Sequence, residues 1–155
     1  SVLLACAMKM GALQAGAPAE DCELLYRFGE SVGLAFQLQD DMLDVYGDFE
    51  TFGKRIGGDI LCNKKTYMLI KALEGADEAQ RDRLVQWIEA KEYDPEEKIA
   101  AVTSLYNEIG VRHICEDLIN KYFEEARLLL DKVALPAESK EVLWQYALGL
   151  LGRNS

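Results

Sequence analysis

Hydrophobic and polar positions alternate with the period of an α-helix along most of the chain. The clearest run extends from Val111 to Val133, where apolar residues recur at steps of three and four. These residues are Val111, Ile114, Leu118, Tyr122, Ala126, Leu129 and Val133. No stretch of the sequence shows the two-residue alternation that is typical of a half-buried strand. The pattern therefore predicts an all-α protein.

Caps, prolines and glycines set the ends of the predicted helices. Thr66 and Asp77 are typical N-cap residues, Asp94 precedes a proline, and Gly47 and Gly110 are expected to end helices. The predicted helices span residues 2–14, 18–46, 67–74, 78–91, 95–109, 111–133 and 138–151. The polar, glycine-rich segment 47–65 is predicted to be a loop that becomes ordered when it binds its ligand.

The apolar faces of these helices predict the core. The first helix is apolar on nearly every side, so we expect it to need neighbours on more than one side. In the second helix, Gly29 and Gly33 are expected to permit close helix packing, to leave room for substrate beside Gln37 and Asp40, or both. The predicted core positions include Leu25, Phe28, Val32, Phe36 and Leu43 on the second helix, Leu84, Val85, Trp87 and Ile88 on the fourth, and Val142, Leu143, Trp144, Tyr146 and Leu150 on the last.

Composition narrows the class of protein. The net charge of −10 argues against a nucleic-acid-binding protein, because such proteins present basic surfaces. No apolar run is long enough for a transmembrane helix, so no stable membrane insertion is expected. The four cysteines have no metal-ligand spacing, which favours free, mostly buried thiols in the cytoplasm. The single histidine, His113, is expected to have a packing or surface position.

Three carboxylates interrupt an otherwise apolar part of the second helix. Asp40 and Asp44 lie one helical turn apart, and Asp41 lies beside them in sequence. Like charges at this spacing destabilise a helix by about 0.2–0.5 kcal/mol per pair, and burial increases that cost. Mg2+ would remove the conflict, because it is usually held by one or two carboxylates together with water and phosphate oxygens. The alternative is an acidic patch that faces solvent at a helix end.

The predicted loop after these carboxylates is rich in cations. It contains Lys54, Arg55, Lys64 and Lys65, together with the acidic residue Asp59. An acidic helix face followed by a basic loop suits a Mg2+–diphosphate complex: the carboxylates bind the metal, and the lysines neutralise the remaining phosphate charge. The alternative for the lysines is a solvated charged loop.

The segment FQLQDDMLD, followed by GK, GD and NKKT, resembles the second aspartate-rich region of the trans-isoprenyl diphosphate synthases. The resemblance extends over essentially the whole chain as the C-terminal half of that family. It implies an isoprenoid-synthase-type helical bundle that condenses an allylic diphosphate with isopentenyl diphosphate, using Mg2+, into a short-chain all-trans prenyl diphosphate. It also implies a homodimer in the complete enzyme.

The resemblance implies a role for individual residues. Metal binding falls on Asp40, Asp41 and Asp44, and Asp40 is expected to be catalytic. Lys54 and Lys64 match the lysines that hold the allylic diphosphate and serve in catalysis. The remaining substrate-binding positions are Phe36 and Gln37, at the reacting end of the cavity, and Asp59, behind the lysines.

The sequence also departs from the family. The family has a first DDxxD motif followed by arginines, and a Lys-Thr pair, before this region; nothing preceding Asp40 supplies them. Residues 1–155 are therefore expected to form the C-terminal portion of a single polyprenyl synthetase domain, inactive alone. Product length and oligomeric state stay open. The alternatives are a non-catalytic metal- and diphosphate-binding unit or partner subunit, and a terpene cyclase, which the all-aspartate motif disfavours.

Overall fold

Helices form all the regular secondary structure of residues 1–47 and 56–151, the residues that the structure, a computed structural model, describes. This confirms the all-α prediction. The eight helices of these residues are α1 (Val2–Gln14), α2 (Ala19–Tyr46), α3 (Gly58–Leu61), α4 (Tyr67–Gly75), α5 (Glu78–Glu89), α6 (Pro95–Ile109), α7 (Val111–Lys132) and α8 (Ala137–Leu151). None of the helices in these ranges is long and apolar enough to cross a membrane.

Local capping chemistry fixes the helix ends much as predicted. The Thr66 hydroxyl accepts a hydrogen bond from the first turn of α4, and Asp77 and Gln80 form a reciprocal capping box at the start of α5. The Asp94 carboxylate accepts two backbone N–H groups at the start of α6. Gly110 has a φ of 79°, a left-handed conformation that separates α6 from α7.

Two predictions differ from the structure by more than one residue. Helix α5 ends at Glu89, two residues before the predicted end at Lys91. The short helix α3 lies inside the segment predicted to be a loop without regular structure, so that prediction was wrong for residues 58–61. The side chain of Asp44 accepts the backbone N–H of Asp59, and this contact ties the first turn of α3 to α2. Residues 48–55 of the predicted loop lie outside the described residues.

The chain divides into two compact units. Unit 1 comprises Ser1–Gln39 and Leu118–Ser155, and α1 packs closely on α2 within it. A Cβ atom added at Gly29 would lie 2.9 Å from the Ala5 Cα, and one added at Gly33 would lie 2.6 Å from the Ser1 Cα. Both glycines are therefore needed for close packing. The buried core of unit 1 is formed by Ala12, Cys22, Leu25, Phe28, Val32, Ala126, Leu129, Leu130, Val133 and Ala147.

Unit 2 comprises Asp40–Asp117. Helix α6 is its centre, because α3, α4 and α5 all pack against it. The buried core of unit 2 is formed by Val45, Ile60, Met68, Ala72, Leu84, Val102, Leu105, Tyr106, Val111 and Cys115. This core supports the end of α2 and the segment 57–66, which carry most of the predicted site residues.

Several predicted core positions are exposed instead. Phe36, Val85 and Ile114 are each more than a third exposed, and Val142 and Tyr146 are 68% and 74% exposed. The periodicity identifies an apolar face but does not say what covers it, and the described residues leave these positions uncovered. Helix α1, predicted to need neighbours on more than one side, likewise has exposed apolar side chains, among them Leu3 and Met10.

The four cysteines are free, as predicted. Cys22 and Cys115 are buried, but Cys6 and Cys62 are exposed, so the expectation that most would be buried was correct for only half of them. The side chain of His113 is 80% exposed, which confirms a surface position.

Candidate metal and diphosphate site

Lys64 connects two of the predicted acidic residues in unit 2. Its Nζ atom lies 2.8 Å from Asp41 Oδ1 on α2 and 2.7 Å from Asp59 Oδ2 on α3. The carboxylate of Asp41 is only 10% exposed, whereas the side chain of Lys64 is 45% exposed. The structure therefore brings together a buried acid, a second acid and a lysine that remains accessible to a ligand.

Asp44 holds the short helix α3 in place. Its Oδ2 atom accepts the backbone N–H of Asp59 at 2.8 Å, and its backbone carbonyl accepts the N–H of Gly57. Gly57 has a φ of 83°, and a Cβ atom there would lie 2.5 Å from the Ile99 side chain. Glycine at this position thus allows the chain to turn against α2 and α6.

Burial has the largest effect on the carboxylates of Asp41 and Asp44. It raises the pKa of Asp41, and the ammonium of Lys64 offsets only part of this effect. Burial also raises the pKa of Asp44, against the stabilising N–H of Asp59. Hydrogen bonds to Asp41 and Asp59 raise the pKa of Lys64 in turn, so it remains an ammonium ion. Because burial raises the pKa values of both carboxylates, a further cation beside them would favour their charged form.

The donor chemistry fits an open magnesium site rather than a closed metal cage. Within residues 1–47 and 56–151, no three acidic, histidine or cysteine side chains are grouped closely enough to hold a metal ion by themselves. Mg2+ does not require such a group, because it commonly takes one or two carboxylates and completes its shell with water and substrate phosphates. Asp40, Asp41 and Asp44 all lie in the last turns of α2, and their role as metal ligands stays a prediction.

Not every predicted substrate-binding residue joins this cluster. Phe36 and Gln37 lie on the part of α2 that belongs to unit 1, where both are exposed. Asp40 lies in unit 2 and is half-buried. Lys54 lies outside the described residues. The structure thus joins Asp41, Asp44, Asp59 and Lys64 through direct contacts and leaves the other assignments as predictions.

Sequence reasoning missed a second lysine in unit 2. Lys98 on α6 is 1% exposed, and its Nζ atom donates a 2.8 Å hydrogen bond to Asn63 Oδ1. The same atom lies 4.2 Å from the centre of the Tyr93 ring. A signal for this burial exists in the sequence, because Lys98 is in phase with Val102 and Leu105 on the apolar stripe of α6.

A small cavity lies within unit 2 behind the cluster. Its volume is about 20 Å3, which is enough for about one water molecule. The polar and charged side chains that line it include Lys64, Lys98 and their partners Asp41, Asp59 and Asn63. The surroundings of Lys98 and the acidic cluster therefore line the same pocket, whose remaining walls are mostly apolar.

Comparison with known proteins gives consistent results. Residues 1–107 match the family model described as polyprenyl synthetase. The chain is 34% identical, over 143 residues, to a short chain isoprenyl diphosphate synthase from Methanothermobacter thermautotrophicus; the match covers 92% of this chain and 40% of the relative.

Two solved structures show the same fold. A geranylgeranyl pyrophosphate synthase crystal structure matches all of this chain and 48% of its own, with a TM-score of 0.90 and 38% identity. Another, from Corynebacterium glutamicum in complex with isoprenyl diphosphate and magnesium, matches 93% of this chain and 41% of its own, with a TM-score of 0.81 and 30% identity. The chain thus spans a little under half the length of these proteins. The family model and the fold together show that this chain belongs to the polyprenyl synthetase family.

Proposed function

We propose that this chain works as the C-terminal portion of one polyprenyl synthetase domain in a Mg2+-dependent trans-prenyltransferase. The enzyme would condense an allylic diphosphate with isopentenyl diphosphate to form a short-chain, all-trans prenyl diphosphate. The observation that carries the proposal is the contact of Lys64 with both Asp41 and Asp59, which combines anchors for a cation and for an anion in one place. The magnesium and isoprenyl diphosphate complex of the Corynebacterium glutamicum relative supports the same ligands.

The proposed reaction places different demands on the two kinds of residue. Bound Mg2+ would supply Lewis-acid stabilisation to the diphosphate, with Asp40, Asp41 and Asp44 as its protein ligands. The ammonium groups of Lys64 and Lys54 would stabilise the negative charge that develops as the allylic C–O bond breaks. The double bond of isopentenyl diphosphate then attacks the allylic cation, a C–C bond forms, and a proton passes to the released diphosphate. No protein base is required.

The Asp40→Ala variant of the complete enzyme tests this proposal. We expect it to lose prenyl transfer while keeping its helical content, because Asp40 is half-buried on a helix and alanine favours helix formation. Transfer of radiolabelled isopentenyl diphosphate to an allylic acceptor, measured beside circular dichroism, provides both readouts. A transfer rate close to that of the unsubstituted enzyme would refute the role of Asp40.

A second candidate is a non-catalytic diphosphate-binding unit or partner subunit. The observation behind it is that the chain spans 40% and 48% of two proteins that it matches. Incubation of the 155-residue chain alone with Mg2+, an allylic diphosphate and isopentenyl diphosphate separates the candidates. We expect no turnover from this chain alone, whereas measurable turnover would show that these residues suffice. Homodimer formation by the complete enzyme and a cytoplasmic location stay predictions.

A further inference from the structure

Lys98 is buried in a way that requires an explanation. It is 1% exposed, and no carboxylate within the described ranges 1–47 and 56–151 forms an ion pair with it. Its contacts are an amide oxygen of Asn63 and the ring of Tyr93. Burial of an ammonium group without an anionic partner carries a large desolvation penalty, and here it lowers the pKa of Lys98. A buried lysine of this kind contributes little to stability, which favours a role in positioning other groups.

Asn63 links Lys98 to the candidate site. Asn63 has a φ of 50°, so it occupies the left-handed region that asparagine tolerates better than most residues. Its side chain is held on both sides, because Oδ1 accepts from Lys98 and Nδ2 donates to the carbonyl of Ile88 at 3.1 Å. The next residue in the chain is Lys64, whose ammonium contacts Asp41 and Asp59.

Tyr93 restrains the same segment from a second direction. Its hydroxyl donates a 3.1 Å hydrogen bond to the carbonyl of Leu61, and its ring lies against Lys98. The segment from Leu61 to Lys64 is therefore attached to Lys98 both directly and through Tyr93. Small displacements of Asn63 would move the Cα atom of Lys64 and change the direction of its side chain.

We propose that Lys98 is a positioning residue for Lys64. Lys98 holds Asn63 in its left-handed conformation, and this directs the ammonium of Lys64 towards the bound diphosphate. The identity of the bound diphosphate rests on the proposed function. The positioning of Lys64 by Lys98 through Asn63 does not depend on it. Partners that orient a ligand-binding group from behind commonly change affinity by about tenfold or more when they are removed.

The first test uses Lys98→Met, which keeps the length of the side chain but removes the ammonium. The probe is Mg2+ with inorganic pyrophosphate, titrated into the complete enzyme and measured by calorimetry. We expect Lys98→Met to weaken binding about tenfold while its urea unfolding midpoint stays equal to or above that of the unsubstituted chain. The matched control is Lys71→Met, because Lys71 lies on α4 and contacts nearby Glu74 and Tyr67.

The Asn63→Gly variant tests the path of the effect. Glycine accepts the left-handed backbone but cannot connect Lys98 to Lys64. We expect Asn63→Gly to weaken pyrophosphate binding about as much as Lys98→Met, and the double variant to be no weaker than either single variant. Binding within twofold of the unsubstituted chain in Lys98→Met or in Asn63→Gly would overturn the proposal, as would losses that multiply in the double variant. Asn63→Gly also decides the matter if Lys98→Met does not fold.

A measurement without ligand separates this inference from the proposed function. If the complete, unsubstituted enzyme does not bind Mg2+–pyrophosphate, the proposed ligand is wrong, and a double-mutant cycle between Lys98→Met and Lys64→Met in urea then tests the positioning step. Coupling of about fivefold in the unfolding constant would support it. Additive effects, equal to those of Lys98→Met combined with Lys71→Met, would overturn it.

Discussion

Replacement of Lys64 by methionine should change the affinities for two ligands in opposite directions. The variant loses the ammonium that lies 2.8 Å from Asp41 and 2.7 Å from Asp59 but keeps most of the aliphatic side chain. Removal of one partner from a fully buried ion pair costs about 3–5 kcal/mol. Here the Lys64 side chain is 45% exposed, so solvent already screens part of the interaction. We therefore expect the free energy of unfolding to fall by about 1.5–3 kcal/mol, the range for hydrogen bonds to charged groups.

The ligand measurements provide the sharper test of Lys64→Met. In the unsubstituted chain the ammonium competes with a metal ion for the same carboxylate oxygens, so the variant should bind Mg2+ alone more tightly. It should bind Mg2+–pyrophosphate less tightly, because the diphosphate loses a charged donor. Calorimetric titration with each ligand, beside the Lys71→Met control, measures both constants. An equal or lower affinity for Mg2+ alone would refute the assignment of Asp41 to the metal site.

Two further predictions concern stability. Burial lowers the pKa of Lys98, so the folded state binds fewer protons than the unfolded state between that pKa and 10.5, and stability contributed by this group rises with pH across that window. The urea midpoint of the unsubstituted chain, relative to Lys98→Met, should therefore increase from pH 7 to pH 10; a flat difference would refute it. Gly57→Ala should lower the free energy of unfolding by at least about 1–2 kcal/mol, because alanine is strained at a positive φ and its Cβ atom would also meet Ile99. The control Gly11→Ala, on exposed α1, should not destabilise the chain.

Local chemistry explains why most helix ends could be predicted. Asp77, Asp94 and Gly110 determine caps by contacts within a few residues, so the signal is complete in the sequence. The short helix α3 could not be predicted in this way, since its polar, glycine-rich sequence lacks periodicity and its first turn is fixed by Asp44, fifteen residues earlier. Long-range contacts of this kind leave no local pattern.

The candidate site shows the same division between local and distant information. The motif around Asp41 and the loop residue Lys64 predicted a shared site, and the structure places them in contact. The sequence did not show that one carboxylate oxygen of Asp44 accepts the backbone N–H of Asp59, because that hydrogen bond depends on the path of the chain after residue 55. Phe36 was assigned to a buried stripe, but its 39% exposure depends on which surfaces surround α2.

Lys98 shows how a polar residue within an apolar period can be read. A lysine near the start of a helix is usually solvated. The first turn of α6 is otherwise typical, with a proline and two glutamates, so nothing local indicates that Lys98 is buried. Its spacing to Val102 and Leu105, both buried, places it on the inward face, where an ammonium must find polar partners or lose its charge. Asn63 and Tyr93 supply those partners. Asn63 directly precedes Lys64 in the chain, and Tyr93 donates a hydrogen bond to Leu61 in the same segment. A charged residue in phase with a buried stripe therefore predicts a buried polar contact, and in this chain that contact leads to the segment that carries Lys64.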